Sequence, residues 1–186
     1  MIWFTSDTHF CHDKIIEYCN RPFASVEEMN EALINNWNDR VSVGDIVYHT
    51  GDFLLGNNSN KIPEIVKRLK GQIHLILGNH DQKRTKHLVG FADIKSYKEV
   101  KYDNQRIILC HFPFKVWNKS HHGSWNLHGH SHGSLTRDYS IKQLDVGVDC
   151  WNYRPLSYED VKLEMEKHGS KLVDHHGQRD FEKHDL

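Results

Sequence analysis

The chain has 186 residues, 38% hydrophobic and 26% charged, and its 24 basic side chains against 25 acidic ones leave a net charge of −1 with histidine neutral. That length and balance suit one soluble globular domain with a good core, and they offer no global attraction to nucleic acid or an anionic membrane. No apolar run approaches a membrane span, no secretory leader is legible, and Cys11, Cys19, Cys110 and Cys150 lack the CxxC spacing of a zinc finger, so a cytoplasmic protein with free thiols is expected.

Ile2-Trp3-Phe4-Thr5-Ser6 reads as an apolar strand that runs into Asp7-Thr8-His9. A helix is expected from His12 to Asn20, with Ile15, Ile16 and Cys19 inward and Arg21-Pro22-Phe23 as its breaker. The next helix is better signalled: Ser25 and Glu28 make a capping box ahead of Val26, Met29, Leu33 and Trp37 at helical spacing. That stripe is core packing.

The second strand, Ile46 to Thr50, is flanked by two Gly-Asp pairs. Asp45 precedes the run and belongs at its amino edge. Asp52 follows Gly51 and belongs at the carboxyl edge with the other polar clusters, so Asp52 is the aspartate expected to act. A polar loop over Gly56–Asn60 leads into a helix carrying Ile62, Ile65, Val66 and Leu69, which ends at Gly71. Gln72-Ile73-His74-Leu75-Ile76-Leu77 then stops on Gly78 and releases Asn79, His80 and Asp81. Strand, helix, strand, helix is the rhythm of βαβ units with right-handed crossovers. The basic run from Lys83 to His87 reads first as a solvated helix face, with Lys83 and Arg84 as candidate contacts to a phosphate or polynucleotide backbone.

Two more apolar runs end the same way: Arg106–Cys110 delivers His111, and Asn126-Leu127-His128 delivers Gly129-His130-Ser131-His132. Between them, Pro113 to Trp125 is a long loop, in which Trp117 and Trp125 either stack on a base or planar leaving group or pack the loop onto the core. Leu144–Asp149 reads as a further strand, and Ser157 caps a helix reaching His168. Residues 1–168 thus form one domain without internal repeats, and the polar stretch 169–186 is expected to be a loosely held tail.

Five apolar runs thus deliver Asp7, His9, Asp52, Asn79, His111, His130 and His132 to strand ends, with His80 in addition. Carboxylates and neutral imidazoles are ligands for borderline divalent metals such as Mn, Fe, Ni and Zn. Seven are too many for one four-coordinate ion and suit a pair sharing a carboxylate. No Ser-His-Asp or Cys-His arrangement competes with this reading. His49 and His128 adjoin these positions and are expected to orient ligands or substrate.

Asp7-x-His9, Gly51-Asp52, Gly78-Asn79-His80-Asp81, His111 and Gly129-His130-x-His132 resemble the motif set of the calcineurin-like metallophosphoesterase superfamily, over residues 1 to about 155. The chain looks most like its small stand-alone branch. The resemblance implies a layered α/β/β/α sandwich with a dinuclear site at the carboxyl edges of the strands. It implies that Asp7, His9, Asp52 and His132 hold one ion, that Asp52 bridges, and that Asn79, His111 and His130 complete the other. Two divalent ions follow, Mn foremost with Fe, Ni or Zn as alternatives, and His80 stands unliganded as general acid. The implied reaction is hydrolysis of phosphodiester, or phosphomonoester, bonds of small or nucleotide substrates by a metal-bridging hydroxide. A nuclease acting on DNA or RNA is the alternative, and a non-catalytic scaffold of the same fold ranks below it. One departure stands out. Phosphoprotein phosphatases of the superfamily extend the second motif to Gly-Asp-x-Val-Asp-Arg-Gly, whereas Gly51-Asp52-Phe53-Leu54-Leu55-Gly56 lacks both the second Asp and the Arg. That leaves unassigned what orients His80.

Overall fold

The computed structural model describes residues 1–55, 59–81 and 89–171. The basic run with Lys83 and Arg84, the start of the Gly56 loop and the tail beyond residue 171 lie outside the described residues.

In chain order the elements are β1 (Ile2–Thr5), α1 (Lys14–Tyr18), α2 (Val26–Asn38), β2 (Ile46–His49), α3 (Ile62–Arg68), β3 (Gln72–Ile76), β4 (Asp93–Lys95), β5 (Lys98–Tyr102), β6 (Gln105–Leu109), β7 (Trp125–His128), β8 (Gln143–Asp145), β9 (Leu156–Ser157) and α4 (Tyr158–Glu166). They form a five-stranded sheet, β4-β3-β2-β1-β9, and a four-stranded sheet, β5-β6-β7-β8. The pairs among β1, β2, β3 and β4 are parallel, as are β6–β7 and β7–β8. The expected mixed α/β architecture of two sheets flanked by helices is therefore what the chain adopts.

Alternation along the strands sorts the core into two layers. Trp3, Val47, Ile73 and Leu75 face α2 and α3, where Met29, Leu33, Trp37, Ile62 and Ile65 meet them. Ile2, Phe4 and Ile76 point the other way, into a layer built with Ile107, Leu109, Leu127 and Leu144 of the second sheet and Val161 and Met165 of α4. Successive strand residues alternate faces, so both layers can be apolar only if the runs are nearly continuous. That explains why these strands carry apolar residues at consecutive positions.

The capping arrangements differ in detail from expectation. Ser25 Oγ accepts from Glu28 N at 3.2 Å, but the Glu28 carboxylate reaches Ala24 N at 2.7 Å and not the cap residue's own amide. The reciprocal box forms at α4, between Ser157 and Asp160. Leu163 on that helix is 60% exposed, whereas Val161 and Met165 face the core. The run Leu144–Asp149 is strand only to Asp145; Gly147 then bridges to Ser6, and Val148–Cys150 turns as a 3-10 helix. That turn carries Asp149 to the strand ends.

The first five motifs sit where β1, β2, β3, β6 and β7 finish, so both sheets present their carboxyl edges to one place. Open α/β sheets bind ligands at this edge.

Candidate metal centre

Two groups of side chains converge there, Asp7 with His9 and His132, and Asp52 with His111 and His130, each with ligand-type atoms within 4.8 Å of one another. Asp52 Oδ2 lies between the groups, 3.7 Å from His9 Nε2 and 3.4 Å from His111 Nε2. Asn79 joins the second group, its Oδ1 3.0 Å from His111 Nε2. All seven residues brought forward as ligands therefore meet in one cluster.

The protonation logic favours a cation in each group. His111 Nδ1 donates to the Thr50 carbonyl at 2.9 Å. A carbonyl only accepts, so in the neutral ring Nε2 keeps a lone pair, and it faces the acceptor oxygens of Asn79 and Asp52. Lone pairs confronting one another require a proton or a metal ion between them. Burial opposes charging His111, yet the Asp52 carboxylate beside it holds its pKa above the usual value. In the first group, Asp7 is fully buried and its Oδ1 has no hydrogen-bond partner, although it points at His9 and His132, both 4.0 Å away. Burial raises the Asp7 pKa to about 7 and drives that of His9 well below its usual value. Both His9 ring nitrogens are buried and unpartnered. Such orphaned donors of mixed N and O type are what divalent ions use, so the residues fit the metals.

The backbone is strained where these side chains leave it. Asp7, His9, Asp52, His130 and His132 all have left-handed φ, between 48° and 69°. Non-glycine residues avoid that region, and such outliers cluster at functional sites. Two motif glycines permit close approach. A Cβ on Gly78 would sit 2.2 Å from Asp52 Oδ1, and one on Gly129 would sit 2.3 Å from Asp7 Oδ2.

Supporting residues surround the cluster, and several were not legible as site residues. Asp81 is buried and accepts from the amides of Asp52, Phe53 and Gly78 at 2.7, 3.1 and 2.9 Å, which clamps the second and third motifs together. Arg21 is buried, grips Asp149 with Nε and Nη2 at 2.8 Å each, and donates to the carbonyls of Asp7 and Thr8. Asp149 in turn accepts from His132 Nδ1 at 2.7 Å. Burial opposes a charge on His132, but Asp149, helped by Cys19 and Asp7, raises its pKa to about 10 in the metal-free chain. The signal for Asp149 was present, an apolar run ending on Asp like the other motifs. The Arg21 position read only as a helix breaker.

Of the histidines expected to orient neighbours, His49 accepts from Gly51 N at 3.2 Å on Nδ1, so its Nε2 donates to Thr8 Oγ1 at 3.0 Å. It ties the end of β2 to the first motif. His128 donates from Nδ1 to the adjacent Gly129 carbonyl at 2.8 Å. Asp45 lies at the other end of β2, where its carboxylate accepts from Trp3 Nε1 and Ser42 N, both at 2.9 Å.

His80 stands beside the cluster with its side chain 40% exposed and Nε2 3.9 Å from Asp52 Oδ2. Its backbone N donates to Asp52 Oδ1 at 2.9 Å, and its ring meets the edge of His9 at 5.6 Å between centroids. The turn that bears His80 is thus held by Asp52 and Asp81. For Trp117 and Trp125, left between stacking and packing, burial favours packing. Both are buried, Trp125 stacked on Tyr158 in the core between the sheets and Trp117 bonded through Nε1 to the Ser124 carbonyl. Trp125 belongs to β7 and fills the core, and Trp117 is buried within its own loop.

The fold and this donor set define the class of protein. The calcineurin-like phosphoesterase family model matches residues 1–184, and the chain belongs to that family, a group of metal-dependent phosphoesterases. Among relatives, a protein of Methanocaldococcus jannaschii is 38% identical over 89% of this chain and 92% of its own length. The Gene 66 protein of Mycobacterium phage L5 is 29% identical over 86% of this chain and 91% of its own. Among solved structures, an Aquifex aeolicus protein of unknown function superposes with a TM-score of 0.70 at 26% identity, covering 88% of this chain and 98% of that one. Among the described residues, no helix is long and apolar enough to cross a membrane.

Proposed function

We propose that this phosphoesterase hydrolyses phosphodiester bonds of small or nucleotide substrates with two divalent ions, Mn foremost. The observation that carries the dinuclear reading is the position of Asp52 Oδ2 within 3.7 Å of His9 and 3.4 Å of His111, one carboxylate oxygen shared by two donor groups. Asp7, His9 and His132 would hold one ion and Asn79, His111 and His130 the other, with Asp52 common to both. A pair of such ions supplies charge neutralisation for the phosphoryl oxygens and lowers the pKa of a coordinated water.

The chain's own residues do the rest. Arg21 and Asp149 fix the tautomer of His132 with Nδ1 protonated and Nε2 turned to Asp7. Thr50 does the same for His111. His80, not needed as a ligand and beside the cluster, would protonate the leaving oxygen, a step that typically contributes about 10²–10⁴-fold. The missing Asp and Arg of the longer second motif remove a phosphate clamp suited to phosphoprotein. That supports small esters over phosphoprotein.

The test is a panel run on metal-depleted protein reloaded with Mn, Fe, Ni or Zn. The substrates are bis-p-nitrophenyl phosphate, p-nitrophenyl phosphate, cyclic nucleotides and short oligonucleotides. Turnover should return as two ions per chain bind, and the diester should outpace the monoester. Two bound ions without turnover of any ester would make the chain a binding module. Oligonucleotides outpacing every small ester would favour the nuclease reading.

A further inference from the structure

Resting on the phosphoesterase reading, we infer that the site is walled for a diester with a planar group on each side of the phosphorus, the leaving arm against Tyr18 and His12 and the retained arm against Phe112. Across both donor groups lies a cleft of about 250 Å³, walled beyond the metal-site residues by His12, Ile15, Tyr18 and Leu55, with His80 at its side and Phe112 outside it. That is below the roughly 300–1,000 Å³ that encloses a drug-sized ligand, so it takes one arm of a substrate and not the whole. Its wall is a line of rings. His12 lies 5.6 Å from His9, and Tyr18 meets His12 edge-on at 6.2 Å. Tyr18 is 69% exposed at the end of α1.

The second donor group has its own aromatic flank. Phe112 directly follows His111, and its ring stands edge-on to His130 at 4.6 Å and to His111 at 5.1 Å. It is 40% exposed, whereas the chain on either side of it is tied down through His111 and Phe114. By their ring contacts the two exposed aromatics lie on different donor groups, Tyr18 through His12 on His9 and Phe112 on His130 and His111. His80 shares the cleft with Tyr18, and a proton donor must stand at the leaving oxygen. This assigns the leaving arm to Tyr18 and the retained arm to Phe112. Stacking surfaces of this kind accept any planar group, because every base or aryl ring has a π-face.

The experiment uses Tyr18→Ala, Tyr18→Phe and Phe112→Ala in the full chain with Mn²⁺. The substrates are thymidine 5′-(p-nitrophenyl) phosphate, methyl p-nitrophenyl phosphate and p-nitrophenyl phosphate. Tyr18→Ala should lower kcat/KM about tenfold on all three, which share the aryl leaving group, and Tyr18→Phe should restore it. Phe112→Ala should cost about tenfold only on the thymidine ester, whose retained arm is planar. Calorimetric titration of metal-free protein with the thymidine ester should show weaker binding by both alanine variants, with thermal midpoints unchanged. Equal losses on all three substrates in Phe112→Ala, or no loss in either alanine variant while the unaltered protein turns over, would overturn this inference and leave the phosphoesterase reading standing. No metal-dependent turnover by the unaltered protein would remove that reading as well.

Discussion

The two Gly-Asp pairs around β2 offer a sharp separation of folding from metal binding. Asp45 accepts from Trp3 Nε1 and Ser42 N through Oδ2 and from the Met1 ammonium through Oδ1. In Asp45→Asn the amide keeps one oxygen, and the better orientation leaves it facing Trp3 and Ser42. What is lost is the charge on that acceptor and a surface ion pair, in all about 1–2 kcal/mol. For a chain of this size that lowers the thermal midpoint by about 2–8 °C. The loss should be the same with and without Mn²⁺.

Asp52→Asn should behave in the opposite way. Its oxygen can still accept from His80 N, so the metal-free protein should keep its midpoint within a few degrees. Metal binding should suffer, because both donor groups lose their shared charge. With free metal at about 100 times Kd, one site contributes about 2.7 kcal/mol of stability. A hundredfold weaker Kd removes nearly all of it. Scanning calorimetry of each variant with and without Mn²⁺, paired with elemental analysis, reads both effects at once. A metal-dependent rise surviving in Asp52→Asn, or vanishing in Asp45→Asn, would refute the assignment of the shared carboxylate.

Other expectations follow from the same geometry. Gly78→Ala would drive a methyl group to within 2.2 Å of Asp52 Oδ1, whereas Gly44 has nothing within 4 Å. Gly78→Ala should cost about 1–3 kcal/mol and about 10²-fold in turnover, with Gly44→Ala near neutral in denaturant melts and rate assays. Asp149→Asn should weaken metal affinity by about 10–100-fold, read by competition with a chromogenic chelator, because His132 loses the carboxylate that orients it. Burial lowers the His49 pKa to about 3, so the unfolded chain binds the extra proton between about pH 6.5 and pH 3. Stability from this group is therefore complete above pH 6.5 and falls as pH drops toward 3, by at most about 1.4 kcal/mol per pH unit, and His49→Gln should flatten that slope in acid melts. His80→Gln should keep metal occupancy and steepen the dependence of log kcat on leaving-group pKa; an unchanged slope would refute its role as proton donor.

Much of this was legible because apolar runs ending on polar clusters are local in sequence. β1, β2, β3, β6 and β7 each carry their candidate ligands within a few residues of the strand end, so the run and the motif announce each other. The strands β4 and β5 gave no such signal. Asp93–Lys95 is too short, and Lys98–Tyr102 has polar residues on both faces. Its hairpin to β6 turns on Asp103 and Asn104, both with left-handed φ, a two-residue turn that suits these side chains. The tryptophans of the long loop were ambiguous because a buried and a presented aromatic look alike in sequence. Arg21 and Asp149 are 128 residues apart, and no periodicity links them.

The least legible feature is how the site tolerates its own strain. Five ligand-type residues with left-handed backbone would each cost on the order of 1–2 kcal/mol in a free chain. The carboxylates offset this by dividing their oxygens between two tasks. Asp7 accepts His130 N on Oδ2 and leaves Oδ1 to face His9 and His132. Asp52 accepts His80 N on Oδ1 and leaves Oδ2 to face His9 and His111. In each case one oxygen bonds the backbone of a distant motif, so the strained turns are cross-linked before any ion binds. For Asp7 that other oxygen has no hydrogen-bond partner and is costly to bury alone, and for Asp52 it meets only the imidazoles of the two donor groups and His80. The same side chain that organises the loops thus creates the demand for a cation. Asp81, with no oxygen left over after three backbone amides, is bound entirely to the first task. Position in the Gly-Asn-His-Asp motif does not distinguish it from a ligand. The count of amides each carboxylate already holds does.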